Sequence, residues 1–369
     1  MQRLPASGAR AVEAFTVDDL DLLAVPQLAV DAPGTPAGMN GGDSDTELLM
    51  FRRTAGGYER WSSLPAPGGE DAEFFVIGDR RFLAVASIRT GAGPYDFGTE
   101  SRIYEWRAGK FLPGQSVGSF AAKQWKHWRI GERHFLGLAQ GVALPGQEDR
   151  NRPSMVYEWD GSAFSEFQEI PSRWAYNWHP FDIGSATFVA HAEHLGPSVL
   201  YRWDGQRLIP HQELAERSGR AFESFTFESE HYLVVACLQA PSWLMRWAGD
   251  GFEPVQRLDG LGAREFAVFS HDERLFMVRV NFVLGTPADP QPSLMSQLYE
   301  FRGGRLDVVA EFPTTGGTDV AVLKPGGNTD IAVSNSLSAE ITFASGVDVY
   351  RLVVDKGYRS ARASRGDST

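Results

Sequence analysis

The chain has 369 residues and a formal net charge of −12, an acidic balance that repels phosphate backbones and leaves no broad basic footprint for nucleic acid. With 43% hydrophobic and 22% charged residues it can bury a large core, which excludes wholesale disorder, and no apolar run approaches the roughly 18 residues that a membrane helix needs. The first fifteen residues lack the basic end, apolar block and cleavage site of a secretory signal, Cys237 has no second cysteine to pair with, and no Asn is followed by x-Ser/Thr; these features predict a soluble protein of a reducing cytoplasm, with no nucleic-acid or membrane partner.

In chain order, residues 2–15 (QRLPASGARAVEAF) resemble residues 256–269 (QRLDGLGAREFAVF), where an outer strand leads into the next inner one, so the chain opens on an outer strand. From there one motif recurs at intervals of about 44 to 60 residues. Its first half sets bulky residues seven apart around a turn, followed by an apolar run: Phe15/Leu22, Phe75/Phe82, Trp128/Phe135, Phe181/Phe188, Phe225/Tyr232 and Phe269/Phe276, with Val322/Ile331 two residues longer. Its second half alternates aromatic and polar residues before an Asp-Gly, Ala-Gly or Gly-Gly turn: Tyr104 to Phe111, Tyr157 to Phe164, Tyr201 to Leu208, Met245 to Phe252 and Tyr299 to Leu306, with weaker copies from Phe51 and Tyr350. Those dipeptides supply the positive φ of tight hairpins, so each unit reads as two hairpins.

Seven such units without helical periodicity predict an all-β fold, a seven-bladed β-propeller with four-stranded blades whose aromatics pack between blades. Residues 2–5 should complete the last blade beside 349–354 and seal the ring. The propeller occupies 1–358, and the basic tail 359–369 reads as disordered, so that its Arg365-Gly366-Asp367 tripeptide is a coincidence. The two hairpins of a unit are joined by long, Gly- and Pro-rich segments in units one (27–46), two (88–101), three (141–154), six (282–297) and seven, and by very short ones in units four and five. These long segments read as irregular solvated loops that can also rim one face.

The units resemble the epilepsy-associated repeat, or EPTP repeat, found in the leucine-rich glioma-inactivated proteins and in scattered bacterial proteins; the likeness covers nearly the whole chain and is most diagnostic over 154–188, and weakest in blades one and seven. The resemblance implies a seven-bladed propeller whose vertebrate relatives bind partner proteins through a hydrophobic mouth of the central channel.

Inner-strand positions that vary between matching units are freed from packing and become candidate ligand contacts. Aligned on the first bulky inner-strand residue, one facing brings Trp125, Trp178, Phe74, Phe222 and Phe266 to the channel as ligand-binding residues, and His127, Arg129 and Asp182 as a catalytic set: imidazole as acid or base, guanidinium for developing charge, carboxylate to orient or take a proton. The opposite facing substitutes Glu13, Glu73, Lys126, His179 and Glu223, of which His179 also joins the ligand set. His191, Glu193 and His194 lack the spacing of zinc hydrolases, Cys237 sits in the apolar run YLVVACL, and there is no P-loop, dinucleotide fingerprint or GxSxG elbow, so neither metal nor cofactor is expected. Three functions follow: a binding module that captures a small hydrophobic or aromatic molecule, or a partner's side chain, in the central funnel; a cofactor-independent bacterial biosynthetic enzyme, a cyclase or isomerase, with acid/base residues in the channel; or a purely structural scaffold.

Overall fold

The computed structural model describes residues 1–146 and 148–354, so the predicted tail and its Arg-Gly-Asp tripeptide lie outside the described residues. Seven four-stranded antiparallel sheets form the ring, and a short hairpin (Leu284–Thr286 with Asp289–Gln291) decorates the long loop of blade six. No α-helix occurs among the described residues, and none of their segments is a helix long and apolar enough to cross a membrane.

The repeat maps onto backbone pairing. Each pair of bulky residues in the first half of the unit is a cross-strand partnership between the two innermost strands: Phe15 opposite Leu22, Phe75 opposite Phe82, Trp128 opposite Phe135, through to Val322 opposite Ile331. In the second half, Trp106 faces Phe111 and Trp159 faces Phe164 across the outer hairpin. The side chains then bury against the adjacent blade, as where Phe75 and Phe82 of blade two join Trp125, Leu136 and Phe164 of blade three in one cluster.

Blade seven consists of Gly317–Leu323, Asp330–Asn335, Ala344–Arg351 and, outermost, Gln2–Ser7 from the other end of the chain. Its register is Gln2 opposite Val349, Leu4 opposite Val347 and Pro5 opposite Gly346, so the closing strand lies beside 344–351, displaced from the predicted 349–354. The weak repeat at Tyr350 is likewise off by one. Val349, opposite Ala332, holds the place that Tyr104, opposite Leu83, holds in blade two. Because side chains alternate along a strand, that step turns Tyr350 to the other face, where it meets Phe312 of blade six at 5.2 Å.

A second repeated device joins the outer strands. Gln115 accepts from the Phe164 amide and donates to its carbonyl, at 2.9 and 2.7 Å. Gln168 clasps Leu208, Gln212 clasps Phe252 and Gln256 clasps Leu306 in the same way, while Gln2 clasps Tyr58 across the ring closure. The likeness between residues 2–15 and 256–269 therefore has a physical cause, since both glutamines perform one task.

The long loops are more ordered than a solvated reading implies. Those of blades seven, one, two and three share an apolar cluster of Leu28, Ile88, Phe120, Val142, Leu337 and Phe343. The buried Arg89 of blade two also pins the loop of blade one, donating to Ser44 Oγ and to the carbonyls of Asn40 and Gly41.

Candidate functional site: the central channel

The sheets stand radially, so both faces of an inner strand abut neighbouring blades and only its free edge meets the channel. That edge carries amides with no ladder partner, which cost free energy unless something accepts them. In this protein the acceptors are side chains of the preceding blade. The Phe74 amide donates to Glu13, Trp125 to Asp71, His127 to Glu73, Trp178 to Gln124, Val268 to Glu223 and Val12 to Asp319, at 2.6 to 3.1 Å. Between blades four and five His179 Nε2 and Ser224 Oγ, 2.8 Å apart, serve instead.

Around these groups lies a cavity of about 300 Å³, lined among others by Glu13, Glu73, Lys126, His179, Glu223 and Ala267. Burial and the neighbouring Glu73 push the Glu13 carboxyl well above its ordinary range, and burial raises Glu223 to about 7. Burial by itself would lower the Lys126 ammonium; the Glu73 carboxylate at 2.9 Å, with Glu13, outweighs it and holds the pKa above its usual value. Burial, helped by Lys126, depresses His179 to about 3, so its imidazole is neutral and a weak base. The His179–Ser224 distance suits a nucleophile and base, but this protonation behaviour fits a latch between blades.

The cavity is thus lined by the column Glu13, Glu73, Lys126, His179, Glu223. The structure does not bring His127, Arg129 and Asp182 together. His127 lies in the seam between blades two and three, stacked on Phe75 at 4.6 Å and hydrogen-bonded to His134 at 3.1 Å, with its pKa lowered to about 3 by burial and then by His134. Arg129 and Asp182 are exposed at the opposite end of the inner strands, Asp182 accepting from the Thr187 hydroxyl. Trp125 is 0% exposed and Trp178 1%, and Phe74 is stacked on Phe15 at 4.3 Å. Trp178, Phe222 and Phe266 border the cavity but are no more than 2% exposed. For the rings and His127 the physical reason is that a blade-facing large side chain gains more from burial in a seam than from a wet channel; Arg129 and Asp182 lie at the solvent end of their strands instead.

Sequence reading passed over Asp71, Gln124 and Glu265, two residues nearer the loop-bearing end of their strands than the acidic column. Their signal is polarity in otherwise apolar strands. The cluster His191, Glu193 and His194 is divided among separate tasks: His191 bonds Ser154 Oγ at 3.0 Å, and Glu193 accepts the amides of Arg173, Trp174 and Leu195. Among the described residues no group of three or more His, Cys, Asp or Glu has a metal-holding arrangement.

The EPTP domain family matches residues 163–204 and 207–248, each match running from an outer strand through the three inner strands of the next blade. The human "Thrombospondin-type laminin G domain and EAR repeat-containing protein" is 31% identical over 147 residues, and the mouse protein of the same name 30% over 148. Each match covers 39% of this chain and 21% of the relative, so the chain accounts for about a fifth of the length of these curated relatives. Among solved structures, the SapL1 lectin in complex with alpha methyl fucoside aligns over 77% of this chain and 92% of its own, at 12% identity and a TM-score of 0.48.

Proposed function

The chain belongs to the EAR/EPTP-repeat β-propellers, and from that premise we propose that it is a binding module whose central channel captures a small molecule or one side chain of a protein partner. One observation carries the reading: the channel carboxyls Glu13, Glu73 and Glu223 are already committed to backbone amides of the next blade, Lys126 to Glu73 and His179 to Ser224, which leaves a preformed cavity with a fixed polar lining. Committed groups of this kind hold shape. They do not supply the free acid and base that a cyclase or isomerase needs, so geometry favours binding over catalysis.

The finer reading concerns the ligand. Ala14, Ala72, Ala267 and Val320 offer apolar wall, and Glu13, Glu73 and Glu223 offer acceptors. A compact apolar body ending in an amine or guanidinium satisfies both, since a cation draws buried carboxyls into their charged form. A cytoplasmic setting belongs to this proposal too, since the single cysteine, Cys237, has no second cysteine with which to form an internal disulfide.

The test is saturation-transfer NMR with tyramine, 4-ethylphenol and ethylamine on the wild type and on Ala267→Trp, a substitution that fills the channel from blade six. Binding of tyramine that the tryptophan abolishes supports the reading. Binding of 4-ethylphenol alone would replace it with the purely aromatic ligand, and equal signals in both proteins would remove the channel from consideration.

A further inference from the structure

At the loop-bearing end of the channel, three residues before the acidic column in each unit, each blade contributes a single residue five positions before its first bulky inner-strand residue: Arg10, Glu70, Lys123, Tyr176, Arg220, Arg264 and Gly317. Four of the seven are basic side chains, and one is acidic. Three of the cations converge on one ring: Arg220 Cζ lies 3.9 Å from the Tyr176 centroid, Arg264 Cζ 5.2 Å and Lys123 Nζ 5.8 Å. Arg10, on the other side, lies 3.4 Å from Glu70 and over Phe282 of blade six.

Like charges gathered in a poorly solvated place repel strongly, and a protein holds them there at a cost unless negative charge joins them. The protein's own supply falls short. Glu70 serves Arg10. Arg264 reaches Glu265 only at 4.0 Å, and Arg220 donates to a single carbonyl, that of Gly219. The Lys123 ammonium is 95% buried with its residue, lines the small cavity here, and makes no hydrogen bond or ion pair among the described residues. Beneath the ring, Asp71 and Asp319 are bound to the Trp125 and Val12 amides, and burial raises the pKa values of Asp71, Glu265 and Asp319, so these carboxyls lean toward their neutral form. Glu193 is occupied by three backbone amides.

A second observation points the same way. Beside this mouth Trp174 Nε1 and His194 Nδ1 are buried without a hydrogen-bond partner, and Trp174 and Tyr176 are both edge-on to the His194 ring. Orphaned buried polar atoms are rare, and a buried donor left open beside an unpaired ammonium fits a place for a bound acceptor.

We propose that this mouth is a binding site for a small oxyanion, a carboxylate or a phosphate group, held by Arg220, Arg264 and Lys123 around Tyr176. Guanidinium groups suit it because their planar donor sets match both oxyanions in a two-pronged geometry that an ammonium cannot offer. The small cavity here shares Asp71, Gln124, Asn177, Glu265 and Asp319 with the channel cavity below it, whereas Lys123, Tyr176, Arg220 and Arg264 do not line that lower cavity.

The experiment is a calorimetric titration of the full chain with inorganic phosphate and, separately, acetate, each against chloride at constant ionic strength. Phosphate or acetate should bind where chloride does not, and the tighter of the two tells a tetrahedral from a carboxylate ligand. Arg220→Gln and Arg264→Gln should each weaken that binding by about tenfold or more, the size of one lost charge-assisted contact. Glu70→Gln, which removes the competing carboxylate, should tighten it and keeps the proposal testable if an arginine variant fails to fold. Indistinguishable titrations with the three salts would overturn the site, and so would an affinity unchanged in Arg220→Gln and Glu70→Gln.

Discussion

The outer rim and the channel wall of this ring face the same problem, how one blade holds the next, and answer it differently. On the rim, five seams use one device: a glutamine whose amide both gives to and takes from the backbone of the neighbouring outer strand. Along the channel, six seams use glutamate, aspartate, glutamine or a histidine–serine pair, and the seam between Lys126 and Glu73 adds an ion pair. Uniformity is what packing alone requires of a repeat. The channel's lining is varied where the rim is uniform.

The comparison can be broken most severely at the seventh seam, where rim and closure coincide. Removing residues 1–7 takes away the outermost strand of blade seven together with the Gln2 clasp, exposing a sheet edge, and should cost several kcal/mol or prevent folding. A melting temperature equal to that of the full chain would mean that the ring does not rely on this strand. A smaller loss is expected from Gln212→Ala, which orphans the Phe252 amide and carbonyl: about 1–3 kcal/mol in denaturant unfolding, with a similar figure for Gln256→Ala if the clasps are equivalent. Unequal losses would show that the rim is less uniform than its geometry.

On the channel side the expected effect is a pH dependence. Glu223 ionises at about 7 in the folded protein against an ordinary 4.5, so the folded state keeps its proton longer than the unfolded one. Its contribution is fully present below pH 4.5 and is lost as pH rises through about 7. Glu223→Gln retains an acceptor for the Val268 amide and cannot ionise, so stability measured from pH 4.5 to 8 should fall less steeply than in the wild type; parallel curves would count against the assignment. The least change is expected from Arg129→Ala and Asp182→Ala, exposed at the turn-bearing end, where unfolding should shift by no more than about 0.5 kcal/mol and tyramine binding should be untouched. A loss of binding there would move the functional face to the opposite end of the ring.

Much of the fold was legible because the period is short and local. Bulky residues seven apart around a turn fix which residues face each other across a hairpin, and the reading of Phe75 with Phe82 or Trp128 with Phe135 needs nothing beyond the pair itself. The site was less legible because facing is decided by the ring. A strand pattern says that Glu73 and Phe74 point to opposite sides, and either side can be the channel until the sheets are known to stand radially.

What the sequence by itself determined is the number of units, the two hairpins in each, the aromatic seams and the return of the N-terminal strand to the last blade, all properties of residues near one another in the chain or of repeats compared directly. What only the tertiary structure decided is which side chains meet across blades. His127 turned from a channel acid into a seam residue, Glu13, Glu73 and Glu223 became acceptors for their neighbours' edge amides, and Arg10, Lys123, Arg220 and Arg264, scattered over some 250 residues, came to share one mouth. The reason is that closure adds a radial direction: whether a side chain looks along the seam or toward the axis depends on the angle between blades, and no local spacing encodes that angle.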